Sequence, residues 1–179
     1  MNEDWDYGQN LTLRACGEFL GNRWEFRGDI IGDSEHHWIS YLGPDYYTEG
    51  GGAGGALPFA ADIVWKTSGH IGACGGSGGW ERKWLWRIPK PGFINGVVSR
   101  KVAKVVVFFK NQTPEEALII ESGHPDVQFF LLPYLPKIHW IEMVVLDVVF
   151  LPDNPRIHWI EIVALDTEGC ELDRAKVPQ

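Results

Sequence analysis

Three cysteines in 179 residues, Cys16, Cys74 and Cys170, make an odd set without metal-type spacing. That excludes a densely cross-linked small scaffold. It leaves two readings: reduced thiols, or a single Cys16–Cys74 bridge in an exported parent. No apolar run reaches the roughly 18 residues that a membrane-crossing helix needs. The most apolar segment, residues 143–151, is short and carries Asp147. The N-terminus, Met1-Asn2-Glu3-Asp4-Trp5-Asp6, is acidic and lacks the apolar core of a signal peptide. The expected location is cytoplasmic as the sequence stands, and the cell envelope or the exterior if an export segment has been trimmed away. Nowhere do five like charges follow one another, so there is no charged tail. The net charge of −8 argues against nucleic acid or an anionic membrane as a general partner. Helical periodicity is missing as well, since no segment sustains a 3.6-residue apolar repeat over three turns.

What is present is strand. A hydrophobic content of 45%, with nine tryptophans, is ample for one sizeable core, and one domain over residues 1–179 is expected. Arg23-Trp24-Glu25-Phe26-Arg27 alternates polar and apolar as a half-buried strand does. Residues 11–15 and 37–42 are shorter candidates, set off by Gly-Asn, Gly-Asp and Gly-Pro turn signals. After residue 92 the candidates are 102–109, 116–121 and 127–132, with turn signals between them. The expected fold is all-β: a single antiparallel β-sandwich, immunoglobulin-like or jelly-roll-like. The glycine-rich runs 49–56 and 72–79 carry almost no side chains to pack and are expected to be long loops. Gly50, Gly52 and Gly55 spell a formal G-x-G-x-x-G, but it lacks the strand-to-helix setting of a phosphate cradle.

The dominant feature is a tandem duplication. Residues 132–147 recur as residues 151–166 at an offset of 19, with 11 of 16 positions identical. Two copies are too few for a solenoid, so this is a duplicated loop-plus-strand inside an ordinary domain. Read as a strand, the second copy puts Ile157, Trp159, Glu161, Val163 and Leu165 on one face. His158, Ile160, Ile162 and Ala164 then lie on the other. Both copies are competent for the same position in a sheet. The spare one can extend the sheet, pair with another molecule or displace its twin. A long apolar edge invites intermolecular pairing, so a homo-oligomer is expected, with Ile138, Trp140, Ile157 and Trp159 at its interface.

Four groupings carry chemistry on paper. Gly72-Ala73-Cys74-Gly75-Gly76 fits the cysteine form of a nucleophile elbow. It makes Cys74, with His70 nearby, the candidate pair of a cysteine hydrolase, although no helix follows. The His-Trp-Ile-Glu tetrads at His139 and His158 would share a helix face, but on a strand each His points away from its Glu, so no metal site is expected. The pair His36-His37 faces both ways along its strand, without an evident partner. Trp80, Trp84 and Trp86 would align on one face of a single strand, as a stacking platform for a glycan or peptide or as plain core. No cofactor is implied by any of these.

Gly96-Val97-Val98-Ser99-Arg100-Lys101-Val102-Ala103-Lys104-Val105, the later Phe129-Phe130, and Val163-Ala164-Leu165-Asp166-Thr167-Glu168-Gly169-Cys170-Glu171-Leu172 carry a resemblance. Together with Cys74-Gly75 upstream, they resemble a group of poorly characterised Gram-positive, largely actinobacterial, β-sandwich domains, over roughly residues 70–173. The resemblance implies a bacterial, non-enzymatic envelope or interaction domain without catalytic residues. This chain departs from that pattern in its doubled terminal strand and its glycine-rich middle. The functional expectation is therefore a binding or protein-interaction module that oligomerises through the duplicated strand. A cysteine hydrolase and a carbohydrate-binding module are the alternatives.

Overall fold

The computed structural model describes residues 8–42, 47–56, 71–83, 86–109, 112–134 and 159–176. Across these residues the fold is all-β, with two antiparallel sheets. The first is a plain meander of β1 (Leu13–Phe19), β2 (Asn22–Ile31), β3 (Ser34–Leu42) and β4 (Tyr47–Ala56). Its first turn is a two-residue loop in which Leu20 and Gly21 have φ of 52° and 73°, the handedness that matches strand twist in a tight hairpin.

The second sheet holds β5 (Ile71–Lys83), β6 (Trp86–Ser99), β7 (Lys104–Phe109), β8 (Glu115–Glu121), β9 (Val127–Tyr134), β10 (Trp159–Leu165) and β11 (Glu171–Lys176). Their spatial order is β11-β10-β7-β8-β9-β6-β5. Strands β7, β8 and β9 are consecutive neighbours and β10 returns to lie beside β7, which is a Greek key. The sheet curls until β11 approaches β5, giving a half-barrel.

Sequence alternation explains where the two cores sit. On β6 and β9, Ile94, Val98, Phe130, Leu132 and Tyr134 face the concave side with Val105, Val107, Phe109, Ile162 and Ala164. The intervening residues Phe93, Val97, Phe129 and Leu131 face outward and meet Trp24, Phe26, Ile39 and Tyr41 of the meander. β9 is therefore buried on both faces, which is why it reads as a nearly continuous apolar run rather than an alternating one. Edge-to-face rings join the two sheets, Phe26 on Phe129 at 5.3 Å and Tyr41 on Phe93 at 5.9 Å. Gln128, buried on β9, donates from Nε2 to the Val102 carbonyl at 2.5 Å, so the concave core holds a satisfied polar group.

The two glycine runs correct the sequence-based expectation. They are strands, not loops: residues 49–56 belong to β4 and residues 72–79 to β5. Close approach explains Gly51 on β4. A Cβ added at Gly51 would lie 2.1 Å from the His37 carbonyl oxygen and 2.7 Å from Trp38 Cε3. Only glycine lets the fourth strand come that near β3. In β5, main-chain pairing with β6 continues along most of the strand, from Ile71 opposite Val98 to Lys83 opposite Trp86. The ladder thus supplies the order that side chains do not.

Candidate functional site

The second copy of the duplication forms β10, an interior strand. It pairs with β7 through Trp159 opposite Phe109, Ile162 opposite Val107 and Ala164 opposite Val105. With β11 it pairs through Ile162 opposite Ala175 and Ala164 opposite Asp173. Its inward residues Ile162 and Ala164 have no solvent exposure at all. On the outward face Glu161 is held by Arg174 of β11, which donates from Nη1 to Glu161 Oε2 and from Nη2 to Glu171 Oε2 at 2.5 Å. Strand geometry thus separates the inward apolar residues from the outward carboxylate, as alternation requires. The first copy opens within β9, at Leu132 to Tyr134, and its remainder, including Ile138, His139 and Trp140, lies outside the described residues, as do Ile157 and His158.

The length of the connection matters here. β9 ends at Tyr134 and β10 begins at Trp159, so 24 residues link them. The two strands leave and enter at the same end of the sheet, because three antiparallel pairings separate them. Three inter-strand spacings are only ~14 Å. Five or six extended residues span about that distance, and 24 reach several times further. Nearly one whole repeat unit is surplus to the Greek-key connection.

A second grouping went unseen in the sequence. On β3 the residues facing the second sheet are Glu35, His37, Ile39 and Tyr41, two polar groups in a row that is otherwise apolar. Glu35 is 3% exposed. Its Oε1 lies 3.8 Å from His37 Nδ1, beyond hydrogen-bond reach. Among the described residues neither Glu35 Oε2 nor His37 Nδ1 has a hydrogen-bond partner. Burial pushes the Glu35 carboxyl up to about 8. Burial, and secondarily the charge of His36, lowers His37. Close as they are, the two groups are held toward their neutral forms and do not make an ion pair. Glycines surround them: Gly28 on β2 and Gly52 on β4 pair on either side of His37, and β4 shifts register beside Glu35. The sequence signal was the i, i+2 spacing of Glu35 and His37 on a strand. The adjacent pair His36-His37 draws the eye to neighbours in sequence, whereas the strand face joins His37 to Glu35.

The remaining candidates are dispersed. Cys74 lies within β5 opposite Gly96, on an antiparallel ladder whose register shifts just before it rather than on a strand-to-helix elbow, and His70 is outside the described residues. Cys16 and Cys170 are free and exposed, so the Cys16–Cys74 bridge is not formed. The aromatic row does not lie on one strand, because the chain reverses between β5 and β6. Trp80 pairs opposite Pro89 and Trp86 opposite Lys83. That odd offset places the two positions on opposite faces of the hairpin, and Trp84 is outside the described residues. Asp166, Glu168 and Cys170 do gather within 4.8 Å in the β10–β11 turn. Asp166 Oδ1 there accepts from the Glu168 and Cys170 amides at 2.9 and 2.8 Å, which accounts for the cluster as turn chemistry. Among the described residues no helix is long and apolar enough to cross a membrane. No protein-family model, curated protein or solved structure matches the chain.

Proposed function

We propose that this protein is a non-enzymatic interaction module that associates with further copies of itself by exchanging the duplicated strand. One observation carries the reading. Residues 159–165 of the second copy occupy an interior position between β7 and β11, and a twin identical at 11 of 16 positions precedes them in the sequence. The twin keeps the residue types that the position uses. Glu142, Val144 and Leu146 repeat the outward Glu161, Val163 and Leu165, and Trp140 repeats Trp159, while Met143 and Val145 replace the inward Ile162 and Ala164. Two segments therefore compete for one position, and the loser is a donor strand for the same position in a neighbouring chain. Strand donation gains a full main-chain ladder together with side-chain burial, which is the usual basis of β-augmentation. The expected assembly is a closed, symmetric dimer.

Light scattering coupled to size exclusion tests this. The full chain is expected to populate a dimer as its concentration rises. A variant lacking residues 139–157, which retains one copy and joins Ile138 to His158, is expected to be monomeric with an unchanged far-ultraviolet β spectrum. A full chain that stays monomeric at high concentration would sink the proposal.

A further inference from the structure

The position that β10 fills also discriminates between its two candidate occupants, and the residues that do so are separable. On the outward side Arg174 bridges Glu161 and Glu171. Both repeat copies carry glutamate here, Glu142 and Glu161. Arg174 therefore accepts either copy, and only in one register, since a one-residue slip would turn the glutamate inward.

The concave side behaves differently. Ile162 lies between Val107 and Ala175, and Ala164 lies between Val105 and Asp173. All four neighbours are buried, and Ile162 and Ala164 are fully so. The first copy offers Met143 in place of Ile162, a nearly volume-conserving change to a flexible side chain. It offers Val145 in place of Ala164, which adds two carbon atoms where the core has closed around a single methyl group. Interiors packed to crystal density resist such additions.

We infer that Arg174 sets the register of whichever strand enters, and that the Ala164/Val145 difference makes the β7–β11 position a size filter favouring each chain's own second copy. Exchange is thereby held to a minority at low concentration. This inference rests on the strand-exchange reading and names what regulates it. Residue 145 is the control: shortening it removes the only inward overpacking contributed by the first copy.

The experiment uses the full chain in three versions: unmodified, Val145→Ala and Arg174→Ala. Dimer association constants are measured by sedimentation across a concentration series, and thermal unfolding checks that each version folds. Val145→Ala is expected to strengthen dimerisation on the order of tenfold, whereas Arg174→Ala, which removes the partner of the glutamate in either copy, is expected to lower the unfolding temperature and leave the association constant unchanged. As a second route, Ala164→Val burdens the resident strand equally and is also expected to raise the dimer fraction. Equal dimerisation in the unmodified and Val145→Ala chains overturns the size filter while leaving strand exchange standing. Monomers in every version overturn both.

Discussion

β9 has two faces, and the cores they build differ in kind. Its concave face packs Phe130, Leu132 and Tyr134 against aliphatic residues of its own curled sheet, Val105, Val107 and Ile162. Its convex face packs Phe129 and Leu131 against a separate meander through aromatic rings. The concave core closes on itself, and its polar intruders, Gln128 and Asp173, each make a main-chain hydrogen bond. The convex core joins two sheets and, among the described residues, leaves Glu35 Oε2 and His37 Nδ1 without hydrogen-bond partners at one end. A sheet that folds over its own core can satisfy the polar groups it buries from its own main chain. An interface between two sheets is only as apolar as the row that each one happens to present.

The sharpest way to probe this contrast is to delete neighbouring rings that point opposite ways. Phe130→Ala and Phe129→Ala should each cost about 3–5 kcal/mol, since both side chains are buried. Denaturant titration with amide exchange separates them. Phe130→Ala is expected to weaken protection throughout the half-barrel, whereas Phe129→Ala should first release the meander, β1 to β4. Equal loss of protection in both sheets would show that the two cores unfold as one.

Next in size comes the pH dependence of the convex core. Burial raises Glu35 from an ordinary 4.5 to about 8, so the folded state keeps a proton that the unfolded state has released. The stability this contributes is complete below about 4.5 and is lost as pH rises toward 8. His37 is lowered by burial, so its contribution is present above its ordinary value and is lost as pH falls below it. Stability should therefore peak at mildly acidic pH. Glu35→Gln should abolish the decline between pH 5 and 8, a gain of about 3 kcal/mol at the alkaline end. Urea midpoints across that range measure it, and parallel curves for the two proteins would refute the assignment.

Smaller effects test the meander itself. Gly51→Ala forces a Cβ into the His37 carbonyl and should destabilise by about 1–3 kcal/mol, with the loss confined to β3 and β4 in amide exchange. Tyr41 donates its hydroxyl to the Phe19 carbonyl at 2.7 Å and accepts from Asn22 Nδ2 at 3.0 Å. Tyr41→Phe should cost about 1 kcal/mol, seen as a small fall in the unfolding midpoint without a change in m-value.

Much of the architecture was legible before any coordinates. The alternation of residues 23–27 and the β-branched run near 102–109 announced strands, because a pleated, half-buried surface selects those residue types. The facing of residues 161–165 followed from period two, and Ile162 and Ala164 do point into the core, whereas a register shift between Trp159 and Glu161 interrupts the alternation before them. The glycine runs misled because composition reports missing side chains and says nothing of a neighbouring tryptophan that leaves no room for them. The Trp80–Trp86 row misled because its strand ends at Lys83, and a reversal of the chain exchanges faces.

What the sequence determined by itself was therefore local: strand character, the facing of each residue, and the existence of a spare repeat. Which copy becomes β10, how near β4 comes to β3, and which carboxyl is buried beside an imidazole were decided only by tertiary structure. The physical reason is the same in each case. Ladder pairing, close approach and desolvation depend on residues far apart in the chain, so no local pattern records them. The duplication shows the division plainly. Its two copies read almost alike, and the difference between Ala164 and Val145 acquires meaning only against Val105 and Asp173 on the strands either side.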